Sequence, residues 1–141
     1  MARKGISPLI AVIMLIAFTM IIAGILATWT TNFATRQRAQ IEFCSEAKAY
    51  IQGGTYDPST QILNLIINNN GKTDLNFQGI LTYKGVDKPS VYPSTQKVNA
   101  NSIEIFQMNG VNNTLDQATI QSKECAGVQD LLYSYNIRGL G

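Results

Sequence analysis

The sequence predicts an α+β chain in which one long N-terminal α-helix precedes an antiparallel β-sandwich. Three observations carry that expectation. No charged side chain occurs from Gly5 through Thr35, a length that suits a single apolar helix. Beyond Cys44 the apolar residues recur at every second position rather than every third or fourth, the period of half-buried strands. Clusters of Asn, Asp, Gly and Pro then punctuate the chain at short intervals, as turns between strands require.

The helix comes first. From Ile6 to Trp29 the sequence is almost continuously apolar, longer than the ~20 residues that cross a bilayer as a helix. Ile6, Pro8, Leu9, Ile10, Ile13, Leu15 and Ile16 lead this stretch, and Phe18, Ile21, Ile22, Ile25, Leu26 and Trp29 complete it. Pro8 falls in a first helical turn, where the N–H it lacks would have no partner in any case. The following residues, Thr30–Phe43, contain neither Gly nor Pro, and Phe33, Gln37, Gln40, Ile41 and Cys44 fall near one face. A helix from Ser7 to Phe43 is about 55 Å long at ~1.5 Å per residue, far longer than a bilayer core. Small residues at helical spacing, Ser7 with Ala11 and Ala23 with Ala27, allow close approach of a neighbouring helix.

The strands follow. In Asp74–Gly85, Leu75, Phe77, Gly79, Leu81 and Tyr83 point one way, while Asn76, Gln78, Thr82 and Lys84 point the other. In Gln61–Lys72, Leu63, Leu65 and Ile67 form an inner face, with Asn64 and Asn68 outside. Asn70-Gly71 closes a turn into the next strand, Tyr56–Thr60 supplies an earlier turn, and Lys84–Ser94, with two prolines, reads as a loop. Ala47–Gly53, Ser102–Met108, Gln117–Lys123 and Leu131–Ile137 are further strands. Six or more short strands at turn spacing give a sandwich of the immunoglobulin-like kind. The C-terminal Tyr133–Gly141 either finishes a sheet edge or pairs between copies.

Composition excludes several function classes. The net charge of +2 resides in Arg3 and Lys4, and the remainder balances nine basic against nine acidic residues. A neutral body without a basic run is poorly equipped to neutralise phosphates, so nucleic acid is not an expected partner. The absence of histidine removes the commonest general base and metal ligand. The acidic residues are scattered singly, and no glycine-rich loop has phosphate-binding spacing. No catalytic residue, metal ligand or cofactor is expected.

The apolar segment admits three readings: a membrane anchor with Arg3 and Lys4 on the cytoplasmic side, a secretory signal removed near Ala27, or a helix retained after a cut at Gly5. A secretory h-region is about 7–15 residues, and this run is far longer. The stretch Arg3–Trp29, opening Arg3-Lys4-Gly5-Ile6-Ser7-Pro8-Leu9-Ile10-Ala11-Val12, resembles the N-terminal segment of archaeal type IV pilins. The shared features are the short basic leader, the glycine before the cut, and a Ser-Pro pair opening the apolar run. The resemblance implies cleavage between Gly5 and Ile6 by a membrane prepilin peptidase. It also implies insertion in the cytoplasmic membrane as a precursor, handling by a pilus assembly machinery, and bundling of the mature helices into a filament core. Ile10 stands at the fifth mature position, where bacterial pilins carry a glutamate, so assembly here rests on apolar packing.

Outside the cytoplasm, Cys44 and Cys125 are expected to form a disulfide; the competing reading is two unpaired buried thiols. Closing a loop of about 80 residues stabilises by roughly 4.5 kcal/mol in the chain-entropy model. Asn112-Asn113-Thr114 is the one N-glycosylation sequon and falls in a surface loop. The expected organisation is a leader over residues 1–5, a hydrophobic helix over 6–43 and a sandwich over 44–141. The expected function is a structural subunit that polymerises with itself into an extracellular filament for adhesion or cell contact. A related motility filament, or a membrane-tethered binding domain, would use the same helix.

Overall fold

A computed structural model of the chain describes residues 7–140. The α+β expectation holds: one long helix is followed by two four-stranded β-sheets. The helix, α1, runs Pro8–Ser45. The strands are β1 Ala49–Asp57, β2 Ile62–Asn69, β3 Leu75–Tyr83, β4 Ser90–Val98, β5 Ser102–Asn109, β6 Leu115–Ser122, β7 Gln129–Tyr133 and β8 Ile137–Arg138. The chain divides into two compact units, one ending at Ile41 and the other Glu42–Gly141, so the last turn of α1 belongs to the sandwich.

One sheet has the order β5-β2-β1-β8 and the other β4-β3-β6-β7. Every pairing is antiparallel except the short parallel match of Gly54 and Thr55 with Ile137 and Arg138. β2 and β3 lie in different sheets, and each later pairs with a strand three further along the chain, β5 and β6. These are the long return connections of an immunoglobulin-like sandwich. Alternation explains the core. Leu63, Leu65 and Ile67 from β2 meet Leu75 and Phe77 from β3, with Phe106, Met108 and Ile120 completing a cluster at or near zero exposure. Gly79 completes the inward row of β3 because a Cβ there would sit 2.6 Å from the Met108 sulfur.

One connection differs from the sequence reading and a second crosses between the sheets. The proline-containing stretch read as a loop contains β4, an edge strand. Pro93 lies where the register against β3 slips, Gln78 facing Thr95 and Ile80 facing Val91. A proline has no N–H for a ladder, and an edge or a bulge asks for none. The Asn70-Gly71 turn leads into the next strand, as expected, and in doing so carries the chain from one sheet to the other. The side chain of Asn69, fully buried, organises this crossing. Its amide donates to the carbonyls of Thr73 (2.8 Å) and Val98 (3.1 Å), and its oxygen accepts from the Gly71 N–H (3.0 Å). A Cβ on Gly71 would lie 2.5 Å from the Lys48 nitrogen and 2.6 Å from the Glu46 oxygen, so glycine is required here for close backbone approach.

The expected Tyr56–Thr60 turn joins β1 to β2, with Asp57 Oδ1 accepting from the Ser59 N–H at 2.9 Å. The C-terminal stretch read as a single strand is divided. β7 pairs with β6, a 3-10 turn over Ser134–Asn136 crosses between the sheets, and β8 joins β1. Asp130 on β7 accepts the Ile51 N–H at 2.7 Å, which closes that side of the sandwich. Buried Ile137 accounts for the crossing, because its side chain joins the core.

Replacing Gly71 by Ala is expected to lower the unfolding free energy by about 2 kcal/mol or more. Gly53→Ala, whose Cβ meets nothing within 4 Å, should stay within about 0.5 kcal/mol of the parent. Urea midpoints of the two variants check this.

Candidate functional site

The feature with the clearest demand on its surroundings is α1. Its start is local chemistry: the N–H groups of Ile10 and Ala11 donate to the Ser7 carbonyl, and Pro8 occupies a turn whose N–H needs no partner. The helix then continues through Ser45 and is about 57 Å long. It is long and apolar enough to cross a membrane.

The described members of the expected core set, Leu9, Ile10, Ile13, Leu15, Ile16, Phe18, Ile21, Ile22, Ile25, Leu26 and Trp29, are 41–68% exposed in the single chain. With Pro8 they occupy every face of α1, and no polar stripe interrupts them before Trp29. Arg3, Lys4, Gly5 and Ile6, the expected leader charges and cleavage junction, lie outside the described residues.

Beyond Trp29 the helix becomes polar without becoming demanding. Thr28, Thr30, Thr31 and Thr35 donate their hydroxyls to the carbonyls of Gly24, Leu26, Ala27 and Thr31, four residues back, at 2.7–3.0 Å. These hydroxyl donors are satisfied inside the helix and need none from outside. From Pro8 to Thr35 the charge-free surface spans about 42 Å, against ~30 Å for the hydrocarbon core of a bilayer. Trp29 and Phe33 stack one turn apart, 5.5 Å between ring centres.

At the other end, the last turn of α1 is fixed to the sandwich. Cys44 and Cys125 form a disulfide, tying that turn to the segment after β6. The Glu46–Lys48 backbone docks on the crossing loop: the Gly71 N–H donates to the Lys48 carbonyl (3.0 Å) and the Lys72 N–H to the Glu46 carbonyl (3.1 Å). Lys72 and Glu46 also form an exposed ion pair at 3.1 Å.

Glu124, beside Cys125, stakes its loop to β3. Its carboxylate accepts from the Asn76 N–H (3.0 Å), the Asn76 side-chain amide (2.7 Å) and the Ser122 hydroxyl (3.1 Å). Burial on its own raises the pKa of this carboxyl, but the hydrogen bonds from Asn76, from its own backbone and from Ser122 together lower it by more, leaving it below the ordinary glutamate value. Sequence reasoning identified the two cysteines but missed this carboxylate and the buried Asn69. Both are single polar residues whose partners lie far away or on backbone, so no spacing announces them.

Asn112 lies in the exposed loop between β5 and β6, with its side-chain oxygen accepting the Thr114 N–H at 3.1 Å. Among the described residues no group of three or more His, Cys, Asp or Glu is gathered as a metal site. No family model matches the chain, and no curated protein matches it in sequence.

Two outcomes follow for the neck. Removing the bridge with Cys44→Ser and Cys125→Ser together should cost about 4 kcal/mol, read from thermal or urea unfolding. A carboxyl held below its unfolded value adds stability that is complete above that value, near 4.5, and is lost as the pH falls through the folded value. Glu124→Gln should therefore flatten the acid limb of a stability-against-pH curve. An unchanged acid limb would remove Glu124 from the account.

Proposed function

We propose that this chain is the structural subunit of an extracellular filament, an archaeal type IV pilin-like protein that polymerises through α1 and carries its sandwich outside for adhesion or cell contact. The observation behind this reading is a helix apolar on every face from Leu9 to Trp29 that stays free of charge to Thr35, about 42 Å against ~30 Å for a bilayer core. A membrane anchor uses about 30 Å of such surface; a bundle of copies uses all of it.

In the bilayer the helix needs no partner, since its backbone bonds internally. Outside it, each Leu or Ile left in water forfeits roughly 1.5–3 kcal/mol of burial, and the available apolar surface is that of other copies. The basic-basic-Gly junction at Arg3-Lys4-Gly5 supplies the step between these environments. Cleavage after Gly5 removes both charged side chains and leaves Ile6 as the new N-terminus, ahead of a stretch with no charged side chain up to Thr35. The disulfide then holds the sandwich on the helix end in an oxidising exterior. A glycan on Asn112 would lie on the outer surface of the sheath.

Material sheared from the cell surface tests this directly. The expected chain begins at Ile6, lacks two hydrogens for the Cys44–Cys125 bridge, and sediments as fibres. Additional sugar mass that disappears in Asn112→Gln would assign the sequon. A chain that still begins at Met1 or Ala2, and remains monomeric in the detergent-extracted membrane, would contradict the filament reading and favour a tethered binding domain.

A further inference from the structure

The uniformity of α1 leaves one requirement unmet. Apolar burial is non-directional, so a helix apolar on all faces associates strongly without fixing how far one copy slides along the next. Polar or charged groups within an otherwise apolar seam are the best-attested means of setting such a register.

The described part of α1 carries three charges, Arg36, Arg38 and Glu42. The ion pairs among the described residues are Lys72–Glu46 and Lys97–Asp74, so none of the three belongs to one. Arg38 and Glu42 are four residues apart and share a face. Arg36 lies on nearly the opposite side, about 160° from Arg38, with no acidic residue on its own helix within a turn. Beside it the surface forms a shallow notch lined by Trp29, Asn32 and Phe33 together with Arg36. A bundle that covers Phe33 and Trp29 also draws the Arg36 guanidinium out of water, where an uncompensated charge is costly.

We propose that Arg36 of one copy pairs with Glu42 of a neighbouring copy, the carboxylate seating in the Trp29–Asn32–Phe33 notch, and that this contact sets the axial register of the helices. The proposal rests on the filament reading. All copies enter the bundle with the same polarity, so their helices run parallel. Six residues separate positions 36 and 42, about 9 Å of helix rise, and neighbours offset by that distance bring the two charges level. Glu42 is the acidic residue that the described helix supplies, so a second copy of this chain provides the complementary charge. Arginine suits the role because its fork binds a carboxylate through two parallel hydrogen bonds.

Charge exchange in the full-length chain, expressed in its own assembly system, tests the pairing. Arg36→Glu and Glu42→Arg should each reduce sheared fibre yield at least about tenfold. The Arg36→Glu/Glu42→Arg double variant should recover most of the parental yield. Intact-mass detection of the Cys44–Cys125 bridge in every variant controls for folding.

A second measurement reads proximity alone. With Cys at both 36 and 42, oxidation should give a ladder of linked chains. One helix places these positions ~9 Å apart along its axis, beyond the 4.4–6.8 Å Cα separation of a disulfide, so a bond between them joins two copies. If the parent forms fibres and both single charge variants match it, or if the ladder is absent, the pairing is overturned while the filament reading stands. If the parent forms no fibres, that reading fails and the pairing falls with it.

Discussion

The rest of the structure answers to one constraint: α1 is apolar on every side and cannot remain in water. A helix on the surface of a globular protein carries a polar stripe that lets one face stay wet; α1 has none between Leu9 and Trp29. Its requirement is satisfied by lipid or by other helices like itself. The charge-free length continues through the self-bonded threonines to about 42 Å, more than the ~30 Å of a bilayer core.

The sandwich meets the complementary constraint. It must remain soluble while attached to such a helix, and it buries its own apolar residues between two sheets. Attachment is concentrated at the neck. The disulfide, the Gly71 and Lys72 backbone bonds to the Glu46–Lys48 segment, and the Glu124 carboxylate beside Cys125 all act within a few residues of the helix end. Asn69 belongs to the same region, because the crossing it organises presents Gly71 to the neck.

Legibility in the sequence followed the physics of repetition. Alternation in Leu63–Ile67 and Leu75–Leu81 identified two strands and their inward faces, since period 2 is imposed by the pleat itself. The uncharged run to Thr35 and the Gly- and Pro-free stretch after it together identified the helix, expected over Ser7–Phe43 and found over Pro8–Ser45. Pro93 misled because proline statistics describe central strands, whereas β4 lies at an edge with a bulge. Asn70-Gly71 does lead into the next strand, but that its glycine serves close packing against Lys48 had no signal in the sequence. Neither sheet membership nor the Glu124 and Asn69 bonds has a local signature. These depend on which strands meet, which long-range burial decides. The candidate site divides the same way: the apolar helix and the cysteines were legible, whereas the hydrogen bonds around Gly71, Lys72 and Glu124 emerged only from the folded arrangement.

Electron cryomicroscopy of fibres sheared from cells producing this chain tests the central claim most directly. The account expects a central bundle of parallel helices, each traceable as Pro8–Phe43 with side-chain density for Trp29 and Phe33, surrounded by one two-sheet domain per helix. Fibres whose core lacks these helices, or cells that hold the chain in the membrane and bear no such fibres, would contradict it.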